Sequence, residues 1–335
     1  MAFQGWEKHW TKSADGARVE AICPVIISAS RATDIPAFFS NWFLNRLNAG
    51  CLKWINPFDA RQVQYVSFMK TRVVVFWTKN PKPLMERLSE IDSRGINYYF
   101  QFTLNDYERE DLEPNLPRLA ERIDAFKTLS NIVGRKRVVW RYDPLMLTDR
   151  LGMEQLTERV AGIGDALRDF TEKLVFSFAD ISIYKRVRKN LARENIGYRH
   201  FTPDLMMEFA SRLQALNKLW GLKIAACAEG IDLKQYGIEH NRCVDDELMI
   251  ELFKDDGDLM DFLGYKPGLF HDLPKESLKD PGQRKDCGCI ASKDIGMYDT
   301  CLHLCKYCYA NTSRESVEAN VGRHKPDSDV LLSRI

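Results

Sequence analysis

Histidine is scarce in this chain of 335 residues: there are six, scattered along its length. No H-x-x-x-H pair or tight His/Asp group occurs, so a zinc-dependent barrel hydrolase would have no ligand set of the usual kind. Long apolar runs are missing too, and nothing approaches the roughly eighteen residues of a membrane span. The opening stretch MAFQGWEKHWTKSADG lacks the apolar core of a signal peptide. A soluble, cytoplasmic protein with no membrane partner is expected. Neither sign of charge prevails, with 48 Lys+Arg against 47 Asp+Glu. General electrostatic affinity for nucleic acid is therefore not indicated, and any such contact would need a local basic patch. There is no internal repeat and no low-complexity tract.

What remains is ordinary globular composition, 45% hydrophobic and 28% charged. Short β-branched and aromatic runs alternate with longer stretches of helical period. Strands are predicted at 24–30, 51–56, 73–79, 97–104, 137–143, 173–180 and 223–229, with a weaker one at 294–298. Their near-continuous apolar character suits parallel strands buried on both faces. Between them, Leu156, Val160, Ile163, Leu167 and Phe170 form a helical stripe, as do Phe209, Leu213, Leu216 and Trp220. Gly50, Gly95, Gly134 and Gly221 each end a helical stretch where a positive φ is needed, and Thr202-Pro203-Asp204 reads as a helix start. This alternation predicts an α/β fold, a single TIM-like parallel (β/α) barrel over residues 1–335. An open doubly wound sheet is the alternative, but no G-x-G-x-x-G follows the first strand. Residues 230–289 are too many for a simple crossover and read as a long insertion carrying small helices.

Polar residues gather where the predicted strands end: Ser28, Ser30, Arg31, Thr33 and Asp34; Thr78, Lys79 and Asn80; Arg141 and Asp143; Ser177 and Asp180; Glu229. In a parallel barrel this rim is the active-site face. Strand ends are also simply where chains turn polar, which accounts for about half of these positions.

Nine cysteines, an odd number in a chain expected in a reducing compartment, point to metal or redox use rather than a disulfide framework. Cys301, Cys305 and Cys308 are spaced C-x3-C-x2-C with Tyr307 before the last. Three thiolates cannot complete a tetrahedral zinc site, but they can hold three irons of a 4Fe-4S cube and leave the fourth open. This motif, 301–308 within an iron–sulfur segment 287–311, resembles the signature of the radical S-adenosylmethionine superfamily. That resemblance implies Cys301, Cys305 and Cys308 as cluster ligands, Tyr307 beside the adenine, S-adenosylmethionine on the open iron, and a flavodoxin- or ferredoxin-type electron donor. The motif normally follows the first barrel strand, whereas here it follows the last. A circularly permuted barrel, with 294–298 beside 24–30, reconciles the two. SASRATDIP, FWTKNP, RYDP and GCIASKDIGMYDTCLHLCKYCYAN also look like an uncharacterised domain-of-unknown-function family with the same late motif, and WTKNP is weakly similar to the spore photoproduct lyase-like branch. The resemblance supplies no substrate. For the cofactor, Arg31 or Arg141 is expected at its carboxylate, and Ser30 and Thr78 at its ribose or amine.

The other cysteines divide. Cys23 and Cys51 precede their strands and read as buried thiols. Cys227, Cys243, Cys287 and Cys289 make four possible ligands for zinc or a second iron–sulfur cluster, provided the last strand begins near Asp294 and not at Cys289. Unconnected core cysteines are an equal expectation. The basic stretch 183–195, with Lys185, Arg186, Arg188, Lys189 and Arg193, suits a solvated helix face, or a contact with phosphate or nucleic acid. The competing function is thus a nucleic-acid repair or processing protein with a structural cluster. His303 is left out of the ligand set.

Overall fold

The computed structural model describes residues 3–57, 59–266 and 278–332. Its main sheet has eight strands, all parallel to their neighbours. In spatial order they are Lys293–Asp294, Ile26–Ala29, Val73–Thr78, Asn97–Thr103, Val138–Leu145, Lys173–Phe178, Lys223–Ala226 and Ile238–His240. Lys293 pairs with Ile27 and Asp294 with Ser28, so the segment before the cysteine triplet does lie beside the first strand of the sheet.

The sheet is open, and the expected closed barrel is not formed. Its edge strands, Lys293–Asp294 and Ile238–His240, share no ladder. At two and three residues, each pairs on its inner side alone, with Ile26–Ala29 and Lys223–Ala226 respectively. The chain between them fills the gap instead, crossing it with a backbone bond from Ile290 N to Val244 O at 3.1 Å.

Side chains alternate between the two faces of each strand, as extended backbone requires. One set, including Ile27, Val74, Phe76, Phe100, Phe102, Trp140 and Phe176, is buried against the helical layer. The opposite set, Ile26, Val73, Val75 and Tyr99, packs on Met249, Phe253, Leu259 and Met260. Those four belong to helices Asp246–Phe253 and Gly257–Leu263, so the long 230–289 region covers the face that a closed barrel would have turned inward. Part of that region, 267–277, lies outside the described residues.

Two details of the expected strand set change. Cys51–Ile55 is a strand, but it pairs antiparallel with Val63–Ser67 in a separate four-stranded sheet. Ile238–His240 joins the main sheet unannounced. The local signals hold: Gly50 and Gly221 cap their helices at φ 76° and 66°, and Gly95 and Gly134 also have positive φ. Thr202 Oγ1 accepts from Leu205 N at 3.3 Å, with Pro203 in the first turn of helix Pro203–Trp220. Among the described residues, no helix is long and apolar enough to cross a membrane.

Candidate metal and cofactor site

Parallel strands deliver all their carboxyl ends to one side, and there Asp294 organises the first turn. Its Oδ1 accepts from Ser30 Oγ at 2.7 Å and from Gly296 N at 2.9 Å, while Oδ2 accepts from Ser28 Oγ at 3.0 Å and Arg31 N at 2.9 Å. A Cβ on Gly296 would lie 1.9 Å from Ser30 Oγ, so only glycine fits against this turn. Ser30, expected at the cofactor, is therefore committed to Asp294 and to Ala32 N. Thr78 Oγ1 likewise accepts from Asn80 N at 3.0 Å and shapes its own turn. Asp294 itself escaped the sequence reading, because one acid inside a weak strand signal carries no spacing to notice.

The triplet Cys301, Cys305 and Cys308 stands on a loop just beyond this turn, tied down from several sides. Helix Lys185–Arg193 contributes Arg186 Nη1 to the carbonyls of Tyr309 and Ala310 at 3.1 Å each, and Asn190 Nδ2 to those of Cys308 and Asn311 at 3.0 Å each. Arg193 Nη1 reaches Thr312 O at 3.0 Å. The basic helix is thus a clamp for the cysteine loop, more than the solvated face its sequence suggests; Lys185, Arg188 and Lys189 remain exposed. Asn115 Nδ2 holds Leu302 O, and Asn311 Nδ2 holds Cys301 O, both at 2.8 Å.

Within the loop, Ala310 N and Asn311 N donate to Cys308 Sγ at 3.3 and 3.4 Å. Burial raises all three thiols above the ordinary range, Cys305 to about 12, and Cys301 is raised further by its proximity to Cys305 and Cys308. Thiols so desolvated stay protonated unless a cation replaces the proton, and soft metals do this readily. His303 takes no part: its Nε2 is 2.8 Å from Asp34 Oδ2, whose carboxylate also caps a helix at Ala37 N and accepts from Lys79 N.

Tyr307 sits under the loop, not open beside it. Its hydroxyl donates to Glu113, whose Oε1 lies 2.5 Å from Lys79 Nζ, and it accepts from Asn105 Nδ2 at 3.0 Å. Arg122 Nη1 stands 3.6 Å from the other Glu113 oxygen. Burial opposes the Glu113 charge, but Lys79 and Arg122 outweigh it and hold the acid below the usual carboxylate range. The exposed aromatic of this segment is Tyr309, 40% accessible, with its hydroxyl on Arg31 O at 2.6 Å.

The second cysteine set comes together in the gap between the sheet edges. Cys227 Sγ lies 3.5 Å from Cys243 Sγ, and the Cys289 thiol is near enough to those of Cys243 and Cys287 for its pKa to be lowered by them. Cys289 precedes the Lys293–Asp294 strand, as the convergence required. Cys243 N and Val244 N donate to Cys289 Sγ at 3.3 and 3.4 Å. Tyr99 Oη and Gln101 Nε2 both hold Cys243 O at 2.8 Å. Gly288 lets Cys287 and Cys289 approach, since a Cβ there would meet Arg242 Cγ at 2.7 Å and Asn241 O at 3.2 Å.

Two guanidinium groups face these thiols across Trp77, with Arg31 5.0 Å and Arg141 5.2 Å from its ring centre. Arg141 Nη1 donates to Cys243 Sγ at 2.8 Å and to Gln101 Oε1 at 3.3 Å, and Nη2 pairs with Asp143. Arg31 hydrogen-bonds Cys289, and its Nη2 is buried with no hydrogen-bond partner. Hydrogen bonds from Cys243 and Cys287, then the charge of Arg31, hold Cys289 well below the ordinary thiol range; Cys243 brings Cys227 to about 7. Among the described residues, no three or more His, Cys, Asp or Glu side chains already stand in a ligating arrangement. Cys23 and Cys51 are buried as expected, and burial raises both thiols.

No curated protein matches this chain. Among solved structures, a candidate alpha-L-fucosidase from Bacteroides thetaiotaomicron VPI-5482 is similar over 59% of this chain and 75% of its own, at 10% identity and a TM-score of 0.25. Likeness that weak carries no argument about fold or activity. A family match is extensive, running over residues 26–310 from the first strand of the main sheet through the cysteine triplet. The chain belongs to the family described as Domain of unknown function (DUF1848).

Proposed function

We propose that Cys301, Cys305 and Cys308 bind a 4Fe-4S cluster, and that the chain uses it with S-adenosylmethionine to start radical chemistry on a substrate. The observation that carries this reading is the triplet itself: three half-buried thiols on one clamped loop, with Cys305 and Cys308 near enough to raise the pKa of Cys301, and the adjacent His303 engaged by Asp34. Such a donor set fits a cube held at three corners, with one iron left for a small molecule. When bound, the reduced cluster supplies the electron for reductive cleavage of S-adenosylmethionine.

The chain's own residues have distinct tasks. Ala310 N and Asn311 N hydrogen-bond the Cys308 sulfur, which fixes its direction and spreads the charge it would carry as a metal thiolate. The Lys79 ammonium, close enough to Cys305 to lower its pKa, offsets part of the negative charge. Arg31 Nη2 is the free buried donor for the cofactor carboxylate. Arg141 is less suited, since Cys243, Gln101 and Asp143 already engage it. Tyr307 positions the loop through Glu113, and the accessible ring of Tyr309 is the better adenine neighbour. A flavodoxin- or ferredoxin-type protein would donate the electron.

The competing reading, a nucleic-acid repair or processing protein with a structural cluster, draws on the basic helix. Arg186 and Arg193 of that helix are engaged with loop carbonyls, which leaves less charge for a phosphate backbone. Anaerobic reconstitution with iron and sulfide tests the proposal. Wild type should take up about four irons and four sulfides per chain, and a Cys301/Cys305/Cys308→Ser variant should lose them. Equal iron in both proteins would contradict it.

A further inference from the structure

We infer that Cys227, Cys243, Cys287 and Cys289 form a second, four-thiolate site for a single tetrahedral ion of the zinc class, which staples the open side of the sheet. The four come from three segments: the end of the Lys223–Ala226 strand, the turn after Ile238–His240, and the lead into Lys293–Asp294. Those last two strands are the sheet's edges, so one ion held by all four thiols joins the edges where no ladder does.

The sulfur spacing selects a single ion. A tetrahedral zinc bonded to sulfur at about 2.3 Å sets its sulfurs about 3.8 Å apart, close to the 3.5 Å between Cys227 and Cys243. Cys289 Sγ joins them, held 3.3 Å from the backbone N of Cys243. Charge is accommodated by either group, since an oxidised 4Fe-4S cube on four thiolates also carries about −2. A zinc ion with four thiolates carries a net charge of about −2, and the Arg31 and Arg141 guanidinium groups against Cys289 and Cys243 supply the balance. The sulfurs are hydrogen-bonded as metal thiolates are, by Cys243 N and Val244 N on Cys289 and by Asn241 Nδ2 at 3.0 Å on Cys243. Binding releases the remaining thiol protons to solvent, with no change of redox state.

The test uses the full chain, purified anaerobically and supplied with zinc, as wild type and as two variants. Elemental analysis should find about one zinc per chain in wild type and in Cys301/Cys305/Cys308→Ser, and at least tenfold less in Cys243→Ser/Cys289→Ser. Should that last variant not fold, wild type alone decides. Its zinc K-edge absorption should show four sulfur neighbours at about 2.3 Å, and p-hydroxymercuribenzoate should release the ion. The inference is overturned by wild type that holds no stoichiometric zinc. It is equally overturned by zinc with nitrogen or oxygen neighbours, by zinc lost with the Cys301/Cys305/Cys308 set, or by iron in place of zinc at the four thiols. Because the Cys301/Cys305/Cys308→Ser protein reports on this site without the first, failure here leaves the cluster proposal separately testable.

Discussion

The two thiol groups differ in how the chain brings them together. Cys301, Cys305 and Cys308 lie within eight residues and owe their position to a loop whose carbonyls are held by Arg186, Asn190 and Arg193. Cys227, Cys243, Cys287 and Cys289 span more than sixty residues and meet only because the sheet stays open. Their electrostatics differ in the same sense. In the triplet, burial dominates and every thiol is raised, while the nearby Lys79 is already paired with Glu113. In the quartet, hydrogen bonds among the thiols split the group: they raise Cys243 and Cys287 and, with the charge of Arg31, hold Cys289 well down. A compact motif can thus be placed by backbone clamps alone, whereas a dispersed one depends on the architecture around it.

The largest expected effect separates the two groups by metal. Cys305→Ala should abolish iron uptake, at least a tenfold loss, and leave zinc at the quartet unchanged; joint loss of both metals would show one coupled site.

Next comes the buried network beneath the triplet. Glu113→Gln leaves Lys79 and Arg122 without their partner, which should cost about 3–5 kcal/mol in urea unfolding. A cost under about 1 kcal/mol, typical of exposed pairs, would show that the network does not anchor Tyr307.

Loosening the clamp is a smaller change. Asn190→Ala removes two bonds to the loop carbonyls and should cost about 1–3 kcal/mol. Iron should be lost faster to a chelator, with zinc unaffected. Unchanged iron release would show that the loop holds itself.

A pH-dependent effect concerns Lys293, in the edge strand that leads to the triplet. Burial brings its pKa down to about 8 from 10.5, with the ammonium over the Trp54 ring. Between those values the unfolded chain binds more protons than the folded one, so this group's contribution to stability rises with pH across the window. Lys293→Met should therefore stabilise the protein below pH 8, with the gain vanishing towards pH 10.5. A mutant–wild-type difference independent of pH would contradict the assignment.

Much of this was legible in the sequence, for local reasons. Apolar runs located six strands of the main sheet and a weaker signal touched a seventh, glycines after helices gave four positive-φ positions, and the spacing of Cys301, Cys305 and Cys308 singled out one loop. Barrel closure was not legible. Parallel strands read alike in open and closed sheets, and closure hangs on two edge strands of two and three residues. Ile238–His240 was missed because three residues carry no period. The clamp was missed because a basic helix shows its charge in the sequence but not the carbonyls it meets. The bond from the Tyr307 hydroxyl to Glu113 was missed because the two lie 194 residues apart in sequence and meet only in the fold.

The central claim is that the triplet holds a cluster with one iron open to S-adenosylmethionine. The most direct measurement is low-temperature EPR of the reconstituted, dithionite-reduced chain before and after adding that molecule, with product analysis of the same sample. The account predicts a reduced-cluster signal that shifts on addition and 5'-deoxyadenosine that accumulates, both absent in Cys305→Ala. A fully loaded cluster whose spectrum is unchanged, with no cleavage product, would contradict it.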